Sequence, residues 1–243
     1  MTFNNYIRLQ QEIPVTIAGK KCVICAHERP KVLLIQPLGE HENATLYAEI
    51  KTISESVHLP FVFVGFEISE WEKELMPWAD SFVANDREVG LHAGDTLNYL
   101  KHSLIPYLHN EYNHLPVILG GYSLAGLFAL WAASQSDLFD SVAACSPSLW
   151  INNWNEYAQS FPLCVRTVYL SLGDKEEATC NQRLSVVGNR VRSEYDLLRR
   201  HLGEDHCTLV WEQGGHFVTP HLRLARAFTW CINSTFLSIP LHM

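Results

Sequence analysis

A serine hydroxyl is inert toward an ester until a base takes its proton, and a neutral imidazole titrates in the right range to do so. The imidazole then needs a carboxylate to fix its tautomer and stabilise the imidazolium that forms. Ser123, Asp174 and His216 have the types for this work. Ser123 lies in Gly120-Gly121-Tyr122-Ser123-Leu124-Ala125-Gly126. Small residues two before it (Gly121) and two and three after it (Ala125, Gly126) permit a tight strand-to-helix turn that pushes the serine side chain out of a sheet's end. His216 follows two glycines that let its loop turn sharply. Asp174 is preferred as the acid because it lies nearest the end of its strand; Glu176 and Glu177 are rival carboxylates just beyond it. Attack on a carbonyl also creates an oxyanion that needs backbone donors. The Leu124 N–H is one. The other is expected from the loop after the strand around Val32, with the Leu38 N–H the first choice and Gly39 the second.

The elements that must position these groups follow from periodicity. Leu115 to Leu119 is a short apolar, β-branched run, and Leu124, Leu127, Phe128 and Trp131 recur at helical spacing after the turn. Ile13 to Ala26, with Gly19-Lys20 in its middle, reads as an edge hairpin. Lys31–Ile35, Phe61–Phe66, Ser141–Cys145, Val165–Leu172 and Thr208–Glu212 read as strands. The first of them ends where Gln36-Pro37-Leu38-Gly39 breaks the run. Helices are expected over Thr45–His58, Val89–Asn110, Leu184–Leu202 and Pro220–Phe236. The alternation implies a mostly parallel sheet covered on both faces, an α/β fold in one domain spanning residues 1–243, with an N-terminal edge hairpin within 1–30. In such sheets sites gather at the carboxyl ends of strands, where Ser123, Asp174 and His216 all fall. Glu67 to Glu88 is an aromatic-rich loop. The expectation is an open pocket bordered by Trp71, Trp78 and Trp150, with Tyr122 beside the nucleophile and no lid domain between Ser123 and His216.

Composition limits the partners. An excess of 26 acidic over 18 basic side chains gives a formal charge of −8, and no basic run appears, which disfavours nucleic acid and anionic membranes. Met1 to Gln11 has no basic start or apolar core, so it does not read as a signal peptide, and no apolar run approaches the roughly 20 residues needed to span a bilayer. The seven cysteines are odd in number and scattered, which points to reduced thiols in a cytoplasmic protein. Cys22-Val23-Ile24-Cys25 has no second pair to complete a metal site and reads as strand, so no metal is expected. The Asn43 and Asn233 sequons matter only in a secreted protein.

The order Ser, acid, His is that of the α/β-hydrolases. The stretch Gly120 to Trp131, Ser146-Pro147-Ser148-Leu149-Trp150, Ser171 to Glu176 and Gly214-Gly215-His216-Phe217 resemble the esterase family of that superfamily. It includes enterobactin and salmochelin esterases, S-formylglutathione hydrolases of the esterase D type, feruloyl esterases and the antigen 85 mycolyltransferases. The resemblance runs from about Lys31 to the C-terminus and is greatest to small bacterial cytoplasmic members. It implies hydrolysis of an ester or thioester through an acyl-enzyme on an α/β-hydrolase fold, with no metal or organic cofactor. Two other readings share the residues: an acyltransferase that passes the acyl group to an alcohol or sugar, and a non-catalytic binding protein on the same fold. Two features depart from the family. Gln36-Pro37-Leu38-Gly39 replaces the His-Gly lead of many oxyanion loops, and Trp71, Lys73, Trp78 and Arg87 are more aromatic than the basic grip siderophore esterases use on catecholates.

Overall fold

The computed structural model describes residues 13–80 and 90–237. Its centre is one eight-stranded sheet in the order β1-β2-β4-β3-β5-β6-β7-β8. β1 (Ile13–Ile17) and β2 (Lys20–Ala26) form an antiparallel hairpin at one edge, turned through Ala18 and Gly19, both at positive φ. β2 pairs antiparallel with β4 (Phe61–Glu67). From there β3 (Val32–Leu38), β5 (Val117–Tyr122), β6 (Ser141–Cys145), β7 (Thr167–Gly173) and β8 (Cys207–Glu212) run parallel. The carboxyl ends of these five strands therefore lie along the same end of the sheet.

The central strands are continuous apolar runs because both their faces are covered. Successive residues contribute to opposite layers: Leu33 and Ile35 join the core with Val62, Val64, Val117 and Leu119, while Val32 and Leu34 join Phe61, Phe63 and Ile118. The second layer is closed by α1 (Glu40–Ser56) and by α8 (Pro220–Leu237). The first is closed by α2 (Trp71–Leu75), α3 (Ala93–Tyr99), α4 (Ile105–Tyr112), α5 (Leu124–Gln135), α6 (Trp154–Ser160) and α7 (Val187–Leu202). α5 is apolar all round because it is enclosed: Leu124 to Leu130, Ala132 and Ala133 are all buried.

Several boundaries differ from the sequence expectation for identifiable reasons. β3 continues through Pro37 to Leu38. Its pairing with β5 stops at Ile35 while pairing with β4 runs to Leu38, so Pro37 sits where the ladder has one neighbour and tolerates a missing donor. α1 starts at Glu40 because the Glu42 carboxylate accepts the Gly39 N–H at 3.1 Å, capping the helix a turn earlier than its apolar periodicity begins. The helix expected over Val89–Asn110 is observed from Ala93, is interrupted by a π turn at Leu100–Leu104, and resumes with Pro106 in its first turn. Between Ser123 and His216 the chain is taken up by α5, β6, α6, β7, α7, β8 and short turns, with no inserted lid. Among the described residues no helix is long and apolar enough to cross a membrane. All seven cysteines are thiols.

Candidate active site

Ser123 terminates β5 and precedes the first turn of α5 with φ 56° and ψ −116°, a left-handed conformation that L-residues rarely adopt. Close approach of strand and helix imposes it. A Cβ on Gly121 would lie 2.3 Å from the backbone of Ala125, so only glycine fits there. The turn is tied to the neighbouring strand: the Ser123 N–H donates to the Cys145 carbonyl at 2.9 Å, and the Ser148 N–H donates to the Ser123 carbonyl at 3.1 Å. Ser148 Oγ also lies 3.2 Å from Ser123 Oγ.

The loop after β8 brings His216 Nε2 to 2.9 Å from Ser123 Oγ. On the far side of the ring, Nδ1 lies 2.7 Å from Glu176 Oε2. An ionised carboxylate only accepts, so Nδ1 carries the proton and Nε2 accepts from the serine hydroxyl. The acid beside the histidine is thus Glu176, and the expectation of Asp174 is corrected. Asp174 continues the edge of the sheet: its N–H donates to the Glu212 carbonyl and its Oδ1 accepts the Gly214 N–H, each at 2.8 Å, and its side chain is exposed. The chain then turns back, with the Glu176 N–H donating to the Gly173 carbonyl at 3.0 Å, and this delivers the longer glutamate beneath the imidazole. Glu177, the other rival, faces the surface and pairs with Arg192 at 2.7 Å.

Glu176 is 4 % exposed on its side chain, so every lone pair needs a donor. Its Oε1 accepts from Ser146 Oγ at 2.6 Å, the Gly173 N–H at 2.7 Å and Arg223 Nη1 at 2.9 Å. Burial alone would raise its pKa. The hydrogen bonds from His216 and Ser146, the His216 charge and the Gly173 N–H outweigh burial and hold the carboxyl below its ordinary value.

Arg223, on α8 and 1 % exposed on its side chain, organises the same end of the sheet. Besides Glu176 it donates to the Tyr122 hydroxyl at 3.0 Å and the Gly215 carbonyl at 2.9 Å. The Tyr122 hydroxyl donates in turn to the His216 carbonyl at 2.6 Å. Tyr122 is therefore a support for the histidine loop as well as a lining residue, and burial raises its pKa. Sequence reasoning missed Arg223 and Ser146. The only sequence trace of Arg223 is a cation on the mostly apolar buried face of α8, and Ser146 is a non-glycine residue at φ 43°, which no sequence pattern announces.

An open pocket of about 680 Å³ stands in front of Ser123 and His216. Trp71 and Tyr122 line it, as expected. Trp78 and Trp150 do not. Trp78 stacks on Trp154 and donates its indole N–H to the Asn152 carbonyl at 2.9 Å, while Trp150 packs beneath the Arg183 guanidinium. Both pack against the core layer that α6 helps close, so their apolar area faces the core. Arg87 lies outside the described residues. Leu124 opens α5, where a first-turn N–H has no intrahelical acceptor. Gly39 lines the pocket and Leu38 does not, and the Gly39 N–H is engaged by Glu42. Among the described residues no group of three or more His, Cys, Asp or Glu side chains is arranged to hold a metal ion.

Ser123, His216 and Glu176 thus meet just beyond the carboxyl ends of three parallel strands, β5, β8 and β7. The family model Esterase, described as "Putative esterase", matches residues 53–218. The chain belongs to this family. The esterase also shares its fold with solved structures. Siderophore hydrolase EstB from Aspergillus nidulans superposes with a TM-score of 0.69 at 17% identity, covering 90% of this chain and 93% of that one. An IroE-like serine hydrolase from Shewanella oneidensis gives 0.67 at 14% identity, covering 92% and 79%. The enterobactin esterase FES from Shigella flexneri gives 0.63 at 15% identity, and the match covers 91% of this chain but 59% of that longer one. No curated protein matches the sequence. The architecture is that of the α/β-hydrolases.

Proposed function

We propose that this esterase cleaves a carboxylic ester or thioester through an acyl-enzyme on Ser123. Ser123 Oγ attacks the carbonyl carbon as its proton passes to His216 Nε2. Glu176 keeps Nδ1–H oriented and offsets the imidazolium charge. The oxyanion is received by the Leu124 N–H at the start of α5, and the second donor comes from the Leu38-Gly39 turn after β3. Glu42 already occupies the Gly39 N–H, so Gly39 can serve only when Glu42 moves. Collapse of the intermediate breaks the bond to the alcohol or thiol, which leaves with the proton from His216. Water, deprotonated by His216, then releases the acid and restores Ser123. The scheme calls for no metal or organic cofactor, and the thiol state of all seven cysteines fits a reducing, cytoplasmic setting.

One observation carries this reading: the continuous hydrogen-bonded run from Ser123 Oγ through both nitrogens of His216 to a buried carboxylate. A binding protein would have no need to hold Ser123 in a strained conformation against a base. Hydrolysis of p-nitrophenyl esters of increasing chain length tests it, with products analysed with and without an added alcohol. Release of free acid by wild type, lost in Ser123→Ala, is expected. Predominant formation of the new ester would make the enzyme an acyltransferase, and activity retained in Ser123→Ala would overturn the scheme.

A further inference from the structure

The loop after β6 places a hydroxyl at each end of the run from Ser123 through His216 to Glu176. Ser146 Oγ donates to the Glu176 carboxylate at 2.6 Å, and Ser148 Oγ lies 3.2 Å from Ser123 Oγ. Ser148 is 3% exposed and does not line the pocket, so it meets the nucleophile from the protein side. Its backbone is tied on both sides of the side chain: its N–H donates to the Ser123 carbonyl at 3.1 Å, and its carbonyl accepts the Ile151 N–H at 3.4 Å.

The direction of the bond between the two hydroxyls follows from counting protons. The Ser123 hydroxyl has one, and it goes to His216 Nε2 at 2.9 Å. Ser148 is therefore the donor and Ser123 Oγ the acceptor. Among the described residues the Ser148 hydroxyl has no other hydrogen-bond partner. Buried polar groups are nearly always satisfied, and this one is satisfied by the reacting atom alone.

We propose that Ser148 is a further catalytic residue, which donates a hydrogen bond to Ser123 Oγ and stabilises that oxygen as the leaving group of deacylation. The inference rests on the acyl-enzyme reading above and adds a residue to it. In acylation Ser123 Oγ starts as a hydroxyl that already accepts this bond, so starting state and transition state gain alike and the rate changes little. In the acyl-enzyme the same oxygen belongs to an ester and is a weak acceptor. When the second tetrahedral intermediate collapses, the bond from the carbonyl carbon to Oγ breaks and its electron pair stays on Oγ. The proton that His216 took from water passes to Oγ, while Ser148 keeps its own. The hydrogen bond strengthens as charge grows on Oγ, which is the condition for a gain in rate.

The two half-reactions can be timed separately with p-nitrophenyl trimethylacetate, whose hindered acyl group leaves slowly. Release of p-nitrophenolate in the first turnover reports acylation. Decay of the acyl-enzyme, freed of excess ester by rapid gel filtration and followed by intact mass, reports deacylation. In Ser148→Ala decay should slow about tenfold, as expected for one hydrogen bond, while acylation changes by no more than about threefold. Ser148→Thr keeps the hydroxyl and should restore the decay rate; should that variant not fold, the two rates of Ser148→Ala decide. Decay within about twofold of wild type in Ser148→Ala, or a loss of both rates by the same factor as a distorted site would give, would overturn the role of Ser148 and leave the esterase standing. Absence of an acyl-enzyme from every protein, wild type included, would overturn both.

Discussion

Glu176 and Asp174 are two residues apart, and their environments assign them different work. Asp174 bonds a loop N–H from an exposed position, whereas Glu176 is buried against the imidazole. Glu176→Gln should therefore lower kcat by roughly 10³–10⁴-fold, because an amide can present an N–H to Nδ1 and stabilise the wrong tautomer. Asp174→Asn should leave kcat within a few-fold, and steady-state kinetics on one ester compares them. The difference was not legible in the sequence. Proximity of a residue to a strand end says where its backbone is, while the turn from Gly173 to Glu176 decides which side chain folds back. Ser123 and His216 were legible because Gly121 and Gly214 beside them are required by the local backbone, and backbone requirements leave a mark on sequence. For Gly121 that mark can be tested. An alanine Cβ would lie 2.3 Å from the Ala125 backbone, so Gly121→Ala should destabilise the protein by about 1–3 kcal/mol in denaturant unfolding and slow labelling of Ser123.

At the scale of elements, α8 links the catalytic groups. It packs on the layer of α1 and sends Arg223 through the end of the sheet to Glu176, Tyr122 and Gly215. Replacing that arginine with methionine keeps most of the volume but removes a buried partner from Glu176. Arg223→Met should cost about 3–5 kcal/mol in unfolding free energy. It should also reduce kcat, since the histidine loop loses two of its anchors. Wild-type stability with reduced activity would show that the contact only positions the loop. Strands and long helices were readable from periodicity, while their ends were set by contacts that a one-dimensional pattern omits, such as Glu42 on Gly39. The same limit explains Trp78 and Trp150. Aromatic side chains serve core and pocket alike, and only packing, for Trp78 on Trp154 of α6 and for Trp150 against Arg183, decides between them.

For the whole molecule, buried carboxyls make stability depend on pH in opposite directions. Glu176 has a lowered pKa, so its contribution is fully present above its ordinary value of 4.5 and is lost as pH falls through the lower folded value. Glu194 is buried beneath the Trp154 indole N–H at 2.9 Å, and burial pushes it up to about 7, with that hydrogen bond opposing. A raised carboxyl means the folded state binds more protons than the unfolded one between pH 4.5 and about 7, so stability falls across that interval. Glu194→Gln keeps an acceptor for Trp154 and removes the titration. Its Tm relative to wild type should rise from pH 4.5 to pH 7 in thermal melts, and a constant difference would mean Glu194 does not titrate there. The parallel sheet, its two covered faces and the gathering of chemistry at one edge follow from alternating strand and helix signals, so the architecture was readable from the chain. The acidic lining of the pocket was not, because Glu42 and Glu72 reach it from elements whose sequence shows ordinary polar faces.

The most direct measurement is the rate at which a fluorophosphonate labels the protein, with the modified residue mapped by mass spectrometry, in wild type and in Ser123→Ala, His216→Ala, Glu176→Gln and Asp174→Asn. Modification is expected at Ser123 in wild type, none at that site in the first two variants, a large drop in rate for Glu176→Gln and a near-wild-type rate for Asp174→Asn. Labelling that survives Glu176→Gln but is lost in Asp174→Asn, or that maps to another residue, would contradict it.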